Sequence, residues 1–259
     1  MEVNPSEIIS VRNVTRTFST GDVSFNALED VSLSIAPGRF VSIVGPSGCG
    51  KSTLLQIVAG LTAASSGDVL IEGQRITGPS PDKIGVVFQE PLLLPWKTAA
   101  ENIEFPMALQ SASKSLMQKR SAELLSLVGL SEFRDSYPHQ LSGGMKQRVA
   151  IARGLVRNPP LLLMDEPFAA LDEQTRTKMW AELLRIVSKS QSTVMFVTHG
   201  LVEAVYLADE VLVMGSKPGR IIERIFVDLQ RPRTLDMLGS TELGRLRNRI
   251  WNLISESVP

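Results

Sequence analysis

Apolar and polar positions along this chain fall into two periods. Ile8-Ile9-Ser10-Val11 and Val31-Ser32-Leu33-Ser34-Ile35 alternate with period two, which predicts half-buried strands. Val41–Val44, Ile84–Phe88, Leu161–Met164, Thr193–Thr198 and Val211–Met214 are short and almost wholly apolar, which predicts buried strands. Asp68 to Ile71, bracketed by Ser65-Ser66-Gly67 and Gly73, predicts one more. Helical spacing governs other stretches. Residues 51–60 end at Gly60, and 114–128 place Leu116, Leu124, Leu127 and Val128 on one face. Ser142 can cap a helix that buries Met145, Val149, Ala152 and Val156, and Asn158-Pro159-Pro160 stops it. Further helices are predicted over 173–189 and 201–207. Residues 92–157 thus read as a helical insertion in an α/β domain. In the tail, 231–259, Leu246, Ile250, Leu253 and Ile254 form a stripe with Arg245 and Arg249 on another face, as in a docked terminal helix.

Composition narrows the class. A chain of 259 residues with 43% hydrophobic content can bury a substantial core, as one domain or two closely joined subdomains. Lys+Arg and Asp+Glu are 27 each, so no global field points to nucleic acid, and no nucleic-acid partner is expected. Met1-Glu-Val-Asn-Pro5 has no basic-then-apolar signal pattern, and no apolar run approaches the ~18 residues of a membrane span. The expectation is a cytosolic protein that, if it serves a membrane, does so from the side. Leu92-Leu93-Leu94-Pro95-Trp96 is too short and Pro-rich for a strand or a span. Trp96 is either core or an anchor for a partner, and exposure would favour the anchor.

One stretch carries specific chemistry. Val41–Val44 run into Gly45-Pro46-Ser47-Gly48-Cys49-Gly50-Lys51-Ser52-Thr53 and then an apolar helical start. This is a P-loop in its strand–turn–helix context. Its glycines let backbone N–H groups turn inward as an anion-binding nest, and the following helix aims its positive end at the same phosphates. Lys51 would reach the β/γ-phosphates and Ser52 would hold Mg²⁺. Cys49, the only cysteine, is expected either to be a buried filler or to carry a lowered pKa and react with maleimide unless MgATP protects it.

Other candidates stay open on spacing alone. Asp165 and Glu166 end an apolar run, and strand alternation would point them opposite ways, one toward a metal shell and one toward an attacking water. Gln89 and His199 each follow a strand and could be structural. Phe18 or Phe25 could stack on an adenine or simply pack.

The combination decides. Leu141-Ser142-Gly143-Gly144-Met145-Lys146-Gln147-Arg148 resembles the signature motif of ATP-binding-cassette ATPases. Gln89 falls where their Q-loop does, Ala170-Leu171-Asp172 resembles the D-loop, His199 the switch histidine, and Phe18 the adenine-stacking aromatic. The resemblance spans residues 7 to about 225. It implies a P-loop NTPase core of RecA type, with an N-terminal antiparallel β subdomain and a helical insertion at about 92–157, in an ATPase domain over 7–230. ATP and Mg²⁺ are the implied cofactors, with Ser52, Gln89 and Asp165 at the metal. Lys51, Glu166 and His199 are implied as catalytic, with Glu166 polarising the water. Ser142, Gly143, Gly144 and Gln147 would act on ATP held by a second copy, in a head-to-tail sandwich.

A finer resemblance is to the nitrate/sulfonate/taurine group of bacterial importer ATPases. It rests on Leu93-Leu94-Pro95-Trp96, Asp165-Glu-Pro-Phe-Ala-Ala-Leu-Asp172, Arg231-Pro232-Arg233 and Leu246-Arg-Asn-Arg-Ile-Trp251. It implies an integral membrane permease and a periplasmic binding protein as partners, a place on the cytoplasmic side of the inner membrane, and a small anion as cargo. The alternative is a non-transport cassette ATPase, for example in iron–sulfur assembly or DNA repair.

Overall fold

The computed structural model describes residues 7–21, 23–169 and 171–257. Met1 to Pro5 and the D-loop's Ala170 lie outside the described residues. The chain opens with strands β1 (Ile9–Thr20), β2 (Val23–Ile35) and β3 (Phe40–Val44), then helix α1 (Lys51–Val58). Strands β4 (Ser66–Ile71), β5 (Gln74–Arg75) and β6 (Ile84–Val87) follow. Helices α2 (Ala99–Ala108), α3 (Lys114–Leu127) and α4 (Gly143–Leu155) come next. The remainder is β7 (Leu161–Asp165), α5 (Glu173–Ser190), β8 (Thr193–Val197), α6 (Leu201–Leu207), β9 (Glu210–Gly215), β10 (Arg220–Phe226) and α7 (Thr241–Glu256).

Two sheets result. The first is antiparallel, in the order β2-β1-β4-β5; the second runs β10-β9-β3-β8-β7-β6. In the second, β9, β3, β8, β7 and β6 are parallel, and β10 joins antiparallel at the edge. Alternation along the central strands splits the core in two. Val41 and Ile43, Leu161 and Leu163, Met195 and Val197 face the antiparallel sheet and α1. Phe40 and Val44, Leu162 and Met164, Val194 and Phe196 face the helices, which bury Val149, Leu183 and Val205 against them. These strands are almost wholly apolar because both faces are covered. Each such Val, Leu or Ile contributes roughly 1.5–3 kcal/mol on full burial.

Two expectations change. Leu116 is not inward: it is 52% exposed, and Leu125 takes the buried position on α3 with Leu124 and Ser121. The phase of a weakly amphipathic helix cannot be fixed by leucines alone when they occur on several faces. The edge strand β10 was not anticipated at all. Its Arg220, Glu223 and Arg224 break the apolar run, because only Ile225 is fully buried. The tail does dock, with Leu243, Leu246 and Ile250 buried in the helix-side core.

Candidate functional site

The carboxyl ends of β3, β6, β7 and β8 converge on one rim of the sheet, where ligands bind in open α/β folds. Register places the rim residues. Ile43 and Asp165 both pair with Val197, and Val87 pairs with Met164. The P-loop after β3, Gln89 after β6, Asp165-Glu166 after β7 and His199 after β8 therefore stand side by side.

The P-loop closes tightly. A Cβ on Gly45 would stand 2.5 Å from the Met214 carbonyl, and Gly50 sits at φ 96° with Leu28 and the Ala27 carbonyl pressed against it. Neither position accepts another residue without a shift. Gly50 is the N-cap of α1 and offers no side chain to its first N–H groups, which leaves them for an anion. Lys51 is buried, and its Nζ donates to the carbonyls of Gly45 (2.9 Å) and Pro46 (3.0 Å). The ammonium is thus held across the mouth of the nest. Ser47, Gly48 and Ser52 are exposed, and Pro46 and Thr53 half-buried.

Cys49 corrects the thiolate expectation. It is fully buried, and burial pushes its thiol up despite the neighbouring Lys51. Desolvation of the charged form outweighs the attraction of one ammonium, so Cys49 is a core filler under the loop.

Asp165 and Glu166 diverge, though not by strand alternation. β7 stops at Asp165, and Glu166 adopts φ 43° while its N–H donates to the Val197 carbonyl at 2.8 Å. That left-handed backbone, costly for a residue with a long side chain, turns the two carboxylates apart. Asp165 Oδ1 accepts from Ser52 Oγ at 3.0 Å. Burial raises its pKa, the Ser52 bond opposes this, and Glu166 adds to the rise. Glu166 Oε2 lies 3.1 Å from His199 Nδ1, with the His199 side chain 63% exposed. A hydroxyl and a carboxylate oxygen this close form the hard, all-oxygen donor set that suits Mg²⁺, whose remaining ligands are typically water and phosphate.

Around this rim stand the other candidates. Phe18 stacks on Phe25 at 5.7 Å, and the Arg16 guanidinium lies 4.4 Å from the Phe18 centroid. The two rings that competed for one role are each other's partners, at the end of a hairpin that passes the P-loop at Ala27. Ser142 caps α4 by accepting from the Met145 N–H, and Ser142 and Gly143 are exposed. Gly144 packs toward Thr175 and Leu171. Gln147 requires a correction. It is buried, and its Nε2 donates to the Phe88 carbonyl at 3.3 Å. Lying a full turn inside α4 on its inner face, it fixes the residue before Gln89 and has no face toward a second molecule. Asp172 is exposed and caps α5 through the Thr175 N–H at 3.0 Å, which holds its carboxyl below the usual range.

The residues that support the rim were not read from the sequence. Glu203 is buried, accepts from Trp180 Nε1 at 2.8 Å and from Thr198 Oγ1, and is pushed up by burial. Arg153 donates to the carbonyls of Pro91 and Leu92, each at 2.7 Å. Asn102, fully buried, ties Leu94, Lys97 and Thr98. Arg153 and Asn102 thus fix the loop after Gln89, on which Trp96 is 69% exposed. Only a polar residue at an inward helix position hinted at Asn102.

Fold and rim define a P-loop nucleotide hydrolase in which the Ser142-capped helix α4 packs with α2 and α3. The family model described as ABC transporter matches residues 28–169. The chain belongs to the ABC transporter family, and it is an ATP-binding, ATP-hydrolysing cassette of that family. It is 43% identical over 226 residues to an aliphatic sulfonates import ATP-binding protein of Bacillus cereus, covering 87% of this chain and 88% of that one. It is 44% identical over 256 residues to a nitrate import ATP-binding protein of Synechococcus elongatus, covering 97% of this chain and 39% of that protein. A solved dimer of an ATP-binding cassette in a post-hydrolysis state, bound to ADP and Pi, superposes with a TM-score of 0.77 at 36% identity, over 86% of this chain and 100% of that one. Among the described residues no helix is long and apolar enough to cross a membrane.

Proposed function

We propose that this chain is the ATP-hydrolysing subunit of a bacterial importer for a small anion such as nitrate, a sulfonate or taurine. The observation that carries the catalytic part is the pairing of Ser52 with Asp165 and of Glu166 with His199 on one sheet rim. The named importers among its relatives support the transport part. In this reading residues 7–230 are the ATPase domain, with the helical subdomain at about 92–157, and 231–259 are an appended tail.

Each residue then has a task. The P-loop N–H groups and Lys51 bind the phosphates, and the Phe18 edge of the hairpin takes the adenine. Ser52 and Asp165, with Gln89 alongside, would hold Mg²⁺, which neutralises charge on the phosphates when bound. Glu166 orients and deprotonates the attacking water, and His199 holds Glu166 in place. Ser142, Gly143 and Gly144 present N–H groups to the γ-phosphate on a second copy, in an isologous dimer with two shared sites, as the dimeric solved relative suggests. Trp96, presented by the tied loop that follows Gln89, anchors a short helix of the permease. The chain works from the cytoplasmic side of the inner membrane, and a periplasmic binding protein delivers the cargo.

Co-expression with the permease from the same genetic locus tests this. The chain should sediment with membranes only when the permease is present, and Trp96→Ala should reduce that recovery while the basal ATPase of the free subunit stays near parental. Equal loss of basal ATPase would make Trp96 a fold residue and remove the docking role.

A further inference from the structure

The Arg231-Pro232-Arg233 stretch has no part in the site so far, yet it holds a buried charge. Arg233 is 8% exposed and its Nε has no hydrogen-bond partner. Its Nη1 donates to the carbonyls of Val205 (3.2 Å) and Tyr206 (2.7 Å). Arg231 donates from Nη2 to the Leu207 carbonyl at 3.0 Å and from Nε to Asp209 Oδ1 at 2.8 Å. Asp209 in turn accepts from the Phe40 N–H of the central strand at 2.8 Å. The two guanidiniums therefore take the last carbonyls of α6, the negative end of that helix. Among the described residues no carboxylate hydrogen-bonds to Arg233. Burial pulls its pKa down to about 10. A buried cation of this kind costs stability rather than adding it, so it invites a reason other than folding.

The other end of α6 supplies one. α6 spans seven residues, about 10 Å at the helical rise, and begins directly after His199-Gly200. Glu203, in its first turn, binds Thr198 Oγ1, and that oxygen accepts from the Gly200 N–H at 2.9 Å. Both neighbours of His199 are thereby tied to α6. Glu203 is tied sideways to Trp180 of α5, whose ring lies 5.8 Å from that of Tyr206. Glu203, Trp180 and Leu238 of the tail line one cavity, about 360 Å³, whose wall includes Glu166 and His199.

We infer that Arg231 and Arg233 are positioning residues for hydrolysis: they lock α6 from its C-terminal end and so hold His199 against Glu166. This rests on the catalytic reading of His199 given above. The tail is then part of the machinery by mechanical continuity, from guanidinium to helix to histidine. A tail that shifted would loosen the His199–Glu166 contact without touching the P-loop.

Arg233→Met tests the inference, because it keeps the stem and removes the buried charge. The variant should keep its melting temperature and its KM for MgATP, since the nucleotide-binding loops lie elsewhere. Its kcat should fall about tenfold or more, as small misplacements of a catalytic group can cost up to about a hundredfold. Arg233→Lys, a point charge without the fork, should recover part of that loss. In a His199→Ala background Arg233→Met should cost nothing further, because the two act as one unit. Should Arg233→Met fail to fold, Arg231→Gln carries the same comparison. Parental kcat per folded molecule, or losses that multiply in the double variant, would overturn the inference alone. A His199→Ala protein that hydrolyses ATP at the parental rate would overturn the catalytic reading and this inference with it.

Discussion

Two helix N-termini in this chain suit a phosphate, and they are built oppositely. At α1 the terminus is enclosed: Gly50 supplies no cap, Lys51 is folded across the loop, and Cys49 fills the space beneath. At α4 the terminus is open: Ser142 caps the helix, Ser142 and Gly143 are exposed, and a Cβ on Gly143 would meet nothing within 4 Å. In the proposed function the first holds its anion within one chain, and the second, exposed at Ser142 and Gly143, gains its role from a ligand brought by a second copy. An anion site is thus defined by what surrounds the donors as much as by the donors themselves.

Breaking the catalytic step should give the largest effect. Glu166→Gln keeps the shape and removes the proposed base, so hydrolysis should fall by about 10²–10⁴ while MgATP binding, measured by equilibrium dialysis, stays near parental. A smaller and more local effect separates the two termini. Gly45→Ala drives a Cβ into the Met214 carbonyl and the Cys49 sulfur and should lower stability by about 1–3 kcal/mol, as overpacking does. Gly143→Ala should leave the melting temperature of the monomer unchanged, and a large loss there would mean that the α4 terminus is enclosed after all. The smallest effect concerns Cys49. With its thiol buried and its pKa raised, maleimide should label it slowly at neutral pH, with little change on adding MgATP. Labelling should become fast only in denaturant, and rapid native-state labelling would reopen the loop.

The enclosed terminus was legible in the sequence because its nine residues are contiguous and their spacing is the chemistry. The strands beneath were legible for the same reason: Val41–Val44, Ser42 apart, and Leu161–Met164 are apolar, as strands buried on both faces tend to be. The open terminus was legible as a motif, but Gln147 was assigned outward with it. Membership in a motif says nothing of which helix face a residue occupies, and Gln147 falls on the inner one. Glu166 and His199 could be named singly, whereas their contact depends on β7 and β8 being sheet neighbours and on one left-handed residue. Arg233 entered only as part of a family-like tail motif, and Glu203 carried no signal of its own. Their burial arises from α6 and the tail folding over them, and no local pattern announces that.

The claim that the open terminus is completed by a second copy has one direct measurement. Glu166→Gln with MgATP should elute from size exclusion at the volume of a dimer, ADP should leave it monomeric, and adding Ser142→Arg should return it to monomer with MgATP still bound. A Glu166→Gln protein that binds MgATP, barely hydrolyses it and remains monomeric at every concentration tested contradicts the claim, and a dimer indifferent to Ser142→Arg contradicts the placement of the signature helix at its interface.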